Sequence, residues 1–125
     1  MLPEADEAYL RGKGWSFEAS VEAGMLCVVI RDYTLPVGFD RASTDLLVRL
    51  PGSWPDGTPD MFWVDPEIRR KADGAYPVAA ANFETYLGRG WQRFSRHVQS
   101  GAWRPSDGLA VWMAVIADEL VKCVQ

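Results

Sequence analysis

Arg93, Ser95, Arg96 and His97 bring two guanidiniums, a hydroxyl and the chain's single imidazole close together. If Trp91 to Val98 is helical, Arg93, Arg96 and His97 share one face at spacings of three and four, and Trp91, Phe94 and Val98 fall on another. Two guanidiniums beside an imidazole suit a carboxylate ligand, and the imidazole can also act as a base or nucleophile. Trp91, Arg93, Arg96 and His97 are therefore the candidate binding set, with His97 the candidate catalytic group. The same spacing fits a solvated basic face on a local helix. Ser95 as a nucleophile needs a base and oxyanion donors, and His97, two residues on, projects differently along a helix. One histidine excludes a multi-histidine metal site. Asp56, Asp60 and Asp65 stand beside glycine and proline, where carboxylates usually serve turns. No cofactor is expected.

The other nucleophiles are two cysteines without metal-type spacing. Cys27 lies in the apolar run Met25 to Ile30, and Cys123 falls on the apolar face of the last helical stretch. Both read as core thiols rather than reactive ones. At 125 residues the chain is one domain, and 48% apolar content suffices for a core. A net charge of -4 argues against general binding to nucleic acid or anionic membrane. The acidic start, Met1 to Glu7, does not read as a signal peptide, and Met25 to Ile30 is too short to span a bilayer. A cytoplasmic, reduced protein is the expectation.

The elements that must position these groups follow from periodicity. Pro3 to Lys13 reads as a helix, with acidic residues at its start and Gly12 and Gly14 at its stop. Trp15 to Glu22 alternates, with Trp15, Phe17, Ala19 and Val21 facing inward. Ala23-Gly24 turns the chain into a central strand, Met25 to Tyr33; Thr44 to Leu50 and Met61 to Val64 are a third and fourth. Between the last two runs the rigid loop Pro51-Gly52-Ser53-Trp54-Pro55-Asp56-Gly57-Thr58-Pro59. Short links favour an antiparallel meander. Val78 to Leu87 reads as a short helix ending near Gly88 and Gly90. Ser106 can cap a final helix whose Leu109, Trp112, Met113, Ile116, Leu120 and Cys123 recur on one face. Trp54, Trp63, Trp103 and Trp112 read as anchors rather than ligand stackers. The expected class is α+β: an N-terminal helix, a four-stranded antiparallel meander and a C-terminal helix packed on one sheet face, over residues 1–125.

This order, with the proline-rich loop and the step Trp103-Arg104-Pro105 before an apolar helix, resembles the ubiquitin-conjugating enzyme fold. Within it, Leu2 to Leu10, Pro59 to Pro66 and Trp91 to His97 look like signatures of the prokaryotic conjugating-enzyme-like family E. The resemblance implies a bacterial ubiquitin-like conjugation pathway serving antiviral defence. The implied partners are a ubiquitin-like protein, an activating-enzyme-like protein and an isopeptidase-like protein. It also implies that the Arg93, Arg96 and His97 cluster receives the C-terminal tail of the ubiquitin-like partner.

Conjugating enzymes carry ubiquitin as a thioester on a cysteine between a His-Pro-Asn step and the Trp-x-Pro step. Here Tyr76-Pro77-Val78 stands near the first step, and Tyr86 to His97, the expected window, contains no cysteine. The absent Asn also removes an oxyanion stabiliser. The leading expectation is therefore a cysteine-less module that binds a ubiquitin-like protein or its activating enzyme. The alternative is a noncanonical transferase that uses His97 or a nucleophile supplied by a partner.

Overall fold

A computed structural model describes residues 2–57, 59–96, 104 and 108–125. Helix α1 (Glu4–Gly12) precedes strands β1 (Phe17–Glu22), β2 (Met25–Thr34), β3 (Ser43–Leu50), β4 (Met61–Asp65), β5 (Asn82–Tyr86) and β6 (Arg89–Ser95), and α2 (Gly108–Lys122) follows. All neighbouring strands are antiparallel, in the order β1-β2-β3-β4-β6-β5. The α+β class and the four-strand meander hold, but the sheet has six strands rather than four.

The two added strands occupy the stretches expected to be helical. Leu87-Gly88 is a two-residue hairpin loop, with φ of 55° and 75°, between the paired Tyr86 and Arg89. Ala23-Gly24, with φ of 53° and 76°, does the same between β1 and β2. Both match the left-handed turn that suits the twist of a tight hairpin. Gly88 therefore reverses a strand where the sequence reading has it stop a helix. The aromatics Phe83 and Tyr86 and the intervening Thr85 favour the pleated conformation.

Helices and main core share one sheet face. Val28, Ile30, Leu46, Val48, Phe62, Val64 and Phe94 pack there beneath α2, which contributes Leu109, Trp112, Met113, Ile116 and Leu120. Phe62 and Phe94 stack across β4 and β6 at 4.8 Å. The α2 N-terminus is met by a side chain from α1. Asp6 Oδ1 accepts the Leu109 N–H at 2.9 Å, while Oδ2 accepts the Trp54 indole N–H at 2.9 Å. Asp6 thus caps α2 from a distance and fixes the proline-rich loop. Ser106 and Trp103 lie outside the described residues.

The opposite face carries a second, smaller core of Cys27, Val29, Leu47, Trp63 and Trp91, flanked by Met61, Tyr86 and Leu87. Leu87 N–H donates to Glu22 Oε2 at 2.9 Å, joining the β5–β6 turn to the end of β1. These belong to opposite edges of the sheet, so the sheet coils until its two outer hairpins meet. Val21, expected inward, is instead 64% exposed near the end of the edge strand, where it borders an open cleft with Pro3, Leu26 and Trp54. Buried Gln92 ties the irregular chain after β4 to β6. Its Oε1 accepts Ile68 N–H at 2.8 Å, and its Nε2 donates to the carbonyls of Ile68 and Ala80 at 3.1 and 2.8 Å.

Candidate functional site

Because 91–95 is strand rather than helix, its side chains alternate. Trp91 and Arg93 point to the helix-free face, whereas Gln92 and Phe94 point to the other. Arg93 and Arg96 therefore do not share a face as the helical reading requires. Trp91 is fully buried, with its indole N–H on the Tyr86 carbonyl at 3.0 Å and the Arg89 guanidinium 4.3 Å from its ring. It supports the second core instead of offering a stacking surface. His97 lies outside the described residues. Ser95 ends β6 with its N–H on the Ala79 carbonyl at 3.2 Å.

Arg96 belongs to the helical side. Its side chain is 11% exposed, and the guanidinium pairs with Glu119 of α2 at 3.1 Å and donates to Cys123 Sγ at 3.3 Å and to the Ser95 carbonyl at 2.8 Å. Cys123 is accordingly half-buried in a small cleft with Arg70, Glu119 and Lys122, and not sealed in the core as its sequence position suggests. Cys27 is fully buried in the second core.

Arg93 belongs to a different group. Glu84 Oε2 accepts Arg93 Nη1 at 3.1 Å, while Oε1 accepts the Trp63 indole N–H at 2.8 Å and the Tyr86 hydroxyl at 3.1 Å. Burial works to raise the Glu84 carboxyl, but the bonds from Trp63 and Tyr86 and the Arg93 cation outweigh it and hold it below the ordinary carboxylate value. Burial, and then the Glu84 carboxylate, push the Tyr86 phenol up. Arg49 lies 3.8 Å from the centroid of the Tyr86 ring and 6.0 Å from that of Trp63. The Nε atoms of Arg49 and Arg93 are buried without a hydrogen-bond partner among the described residues. These groups line a cleft of about 300 Å³ with Met25, Pro51, Pro59, Asp60 and Met61.

Arg49, Glu84 and Tyr86 are absent from the sequence-derived set. Arg49 leaves one signal in the sequence: it is the sole charge in the apolar run Leu46 to Leu50, at a position that alternation turns away from the helices. Asp65, read from sequence as a turn carboxylate, pairs with Arg89 at 2.7 Å, and Asp45 joins at 3.2 Å, so these carboxylates clamp β3, β4 and β6 together.

The fold and this arrangement of thiols meet an independent comparison. The model of prokaryotic E2 family E matches residues 2–123. The chain belongs to that family. No curated protein and no solved structure matches it. Membership makes the chain an E2-like component of a conjugation pathway and implies interaction with ubiquitin-like pathway components. In this family E chain, the hairpin of β5 and β6 occupies most of the stretch where a thioester cysteine was expected. No helix among the described residues is long and apolar enough to cross a membrane.

Proposed function

We propose that this family E chain is a conjugating-enzyme-like binding module that engages a ubiquitin-like protein or its activating enzyme without itself carrying the thioester. The placement of its two thiols carries this reading. A thioester nucleophile must be reached by an activated carbonyl and a leaving thiol. Cys27 is sealed beneath Trp63 and Trp91 in the second core. Cys123 follows the last residue of α2, half-buried with its Sγ against the Arg96 guanidinium. Neither thiol extends from the segment between β6 and α2. Two separate free thiols also suit a reducing cytoplasm.

The test reconstitutes the chain with a ubiquitin-like protein and an activating-enzyme-like protein of the same conjugation pathway. Wild type, Cys27→Ala and Cys123→Ala are compared on gels with and without reductant, and binding is titrated in parallel. The module reading expects no reducible adduct and equal binding by all three. A reducible adduct that disappears in Cys123→Ala overturns it in favour of a transferase with an unusual nucleophile. A reductant-resistant adduct that disappears in His97→Ala also overturns it, in favour of histidine chemistry.

A further inference from the structure

We infer that the cleft on the helix-free sheet face, built around Arg49, Trp63, Tyr86 and Arg93, binds the C-terminal carboxylate of an extended peptide. The inference goes beyond the module reading, because it depends on the chemistry of the cleft and on no particular partner.

Three observations define the ligand. Arg49 has no carboxylate within ion-pair distance among the described residues, although its guanidinium is stacked on Tyr86 and its Nε is buried without a partner. A guanidinium held over an aromatic ring presents its remaining N–H groups in a fixed fork, which matches a carboxylate. The other cation is already engaged, since Arg93 is bound to Glu84, which three donors fix in place. The lining therefore holds Arg49 and Arg93 against Glu84 and Asp60, a balance of two positive and two negative side chains. With Arg93 committed to Glu84, Arg49 is the cation left to receive one negative charge, and a phosphate dianion would bring twice that charge against the neighbouring Glu84 carboxylate. The remaining wall is Met25, Pro51, Pro59 and Met61, which offers apolar contact to the side chain that carries the carboxylate.

The geometry also explains why a chain end fits better than a side-chain carboxylate. The lining is drawn from the proline-rich loop, at Pro51 and Pro59, and from β5, at Glu84 and Tyr86, around about 300 Å³. A space of that size takes a terminal residue with its carboxylate, whereas a side-chain carboxylate brings the folded surface around it.

The test is an NMR titration of the full ¹⁵N-labelled chain, followed at the Trp63 indole N–H and the backbone of β3 and β5. The probes are the acetylated peptide Ac-Gly-Ser-Gly-Leu with a free carboxylate, the same peptide amidated at its C-terminus, and sodium acetate. The free acid should bind, and the amide should bind on the order of 10- to 100-fold more weakly. Arg49→Met should remove the difference between acid and amide, and Arg49→Lys should restore it only in part. Arg70→Met, in the cleft beside Cys123, should leave it intact. The acid–amide comparison on wild type needs no variant, so a misfolded Arg49→Met cannot decide the outcome. Equal affinities for acid and amide overturn the inference, as does acetate binding as tightly as the peptide, or a full acid–amide difference in a folded Arg49→Met. None of these results bears on the thioester test, so the two readings fail separately.

Discussion

Asp6 is 5% exposed and joins three segments that are distant in sequence. Its two oxygens hold the first described turn of α2, through Leu109 N–H, and the indole of Trp54 in the proline-rich loop. Asp6→Ala removes both bonds at once. Loss of a helix cap costs about 0.5–2 kcal/mol. Leaving the part-buried indole N–H unsatisfied costs about 1–3 kcal/mol more. A sum of roughly 3 kcal/mol lowers the melting temperature of a domain this size by roughly 10 °C. Asp6→Asn keeps one carbonyl acceptor but turns an amide donor toward the other N–H, so about half that loss is expected. Thermal and urea melts followed by circular dichroism read the totals. A double-mutant cycle with Trp54→Phe, which removes the indole donor to Asp6 together with part of the ring, should give a coupling of about 1 kcal/mol. Gly108 is part of the same junction. It has φ of 64°, and a Cβ there would lie 2.9 Å from Asp6 Oδ1. Strict additivity in the cycle, or an Asp6→Ala melt within about 2 °C of wild type, would refute the view that this carboxylate joins α1, the loop and α2.

Gln92→Leu should cost about 2–4 kcal/mol, because it strands the Ile68 N–H and two carbonyls in the interior; denaturant melts at unchanged m-value check it. Glu84 gives an acid-side prediction. Its folded value lies below its unfolded one, so its contribution is complete above the ordinary glutamate range and is lost as pH falls through the lowered value. Melts from neutral pH into acid should show wild type losing more stability than Glu84→Gln across that window, and parallel curves would contradict the assignment. In native protein one thiol, Cys123, should react promptly with a thiol reagent while Cys27 waits for unfolding. Two equally fast thiols would show that the second core opens. Ala23→Asn should stabilise by about 0.5–1 kcal/mol by relieving a left-handed alanine in an exposed turn. Leu87→Asn at the matching position should not, because Leu87 also packs on the second core. Thermal melts of the pair separate turn chemistry from packing.

The first four strands and both helices were legible because each carries a clean period. Phe17 and Ala19 alternate with polar neighbours, and Leu109, Trp112, Met113 and Ile116 recur at helical spacing. The last hairpin was not legible for two reasons. Trp91 and Phe94 are three apart, which imitates a helical stripe, yet both are buried because each sheet face has its own core. Leu87 is also an unusual residue for a left-handed turn position, so the reversal at Gly88 reads as a helix stop. The grouping of the basic residues depends on the same helical reading. Arg93 and Arg96 were grouped by a helical face that does not exist, and Arg49 and Glu84 were missed because their proximity depends on the order β3-β4-β6-β5, which no local pattern encodes.

Alternation along β6 divides its residues between two tasks. Gln92 and Phe94 bind the connecting chain and the main core, and Arg96 beyond them is committed to α2. Trp91 and Arg93, one residue out of phase, support the opposite cleft. That cleft owes its walls to the coil of the sheet, since the Glu22 to Leu87 bond brings the β5 edge over Trp63 and Leu47. A flat sheet would leave Arg49 in open water, where a lone carboxylate gains little from it. Folded back, the same guanidinium lies on Tyr86 with its Nε out of water, and Glu84 is already fixed by three donors. The groups that would meet a ligand are thus ordered before it arrives, which lowers the entropy lost on binding. Loosening the hairpin contact should therefore weaken peptide binding without touching the cleft itself. Glu22→Gln, which keeps an acceptor for Leu87 N–H, should preserve binding, whereas Glu22→Ala should reduce it.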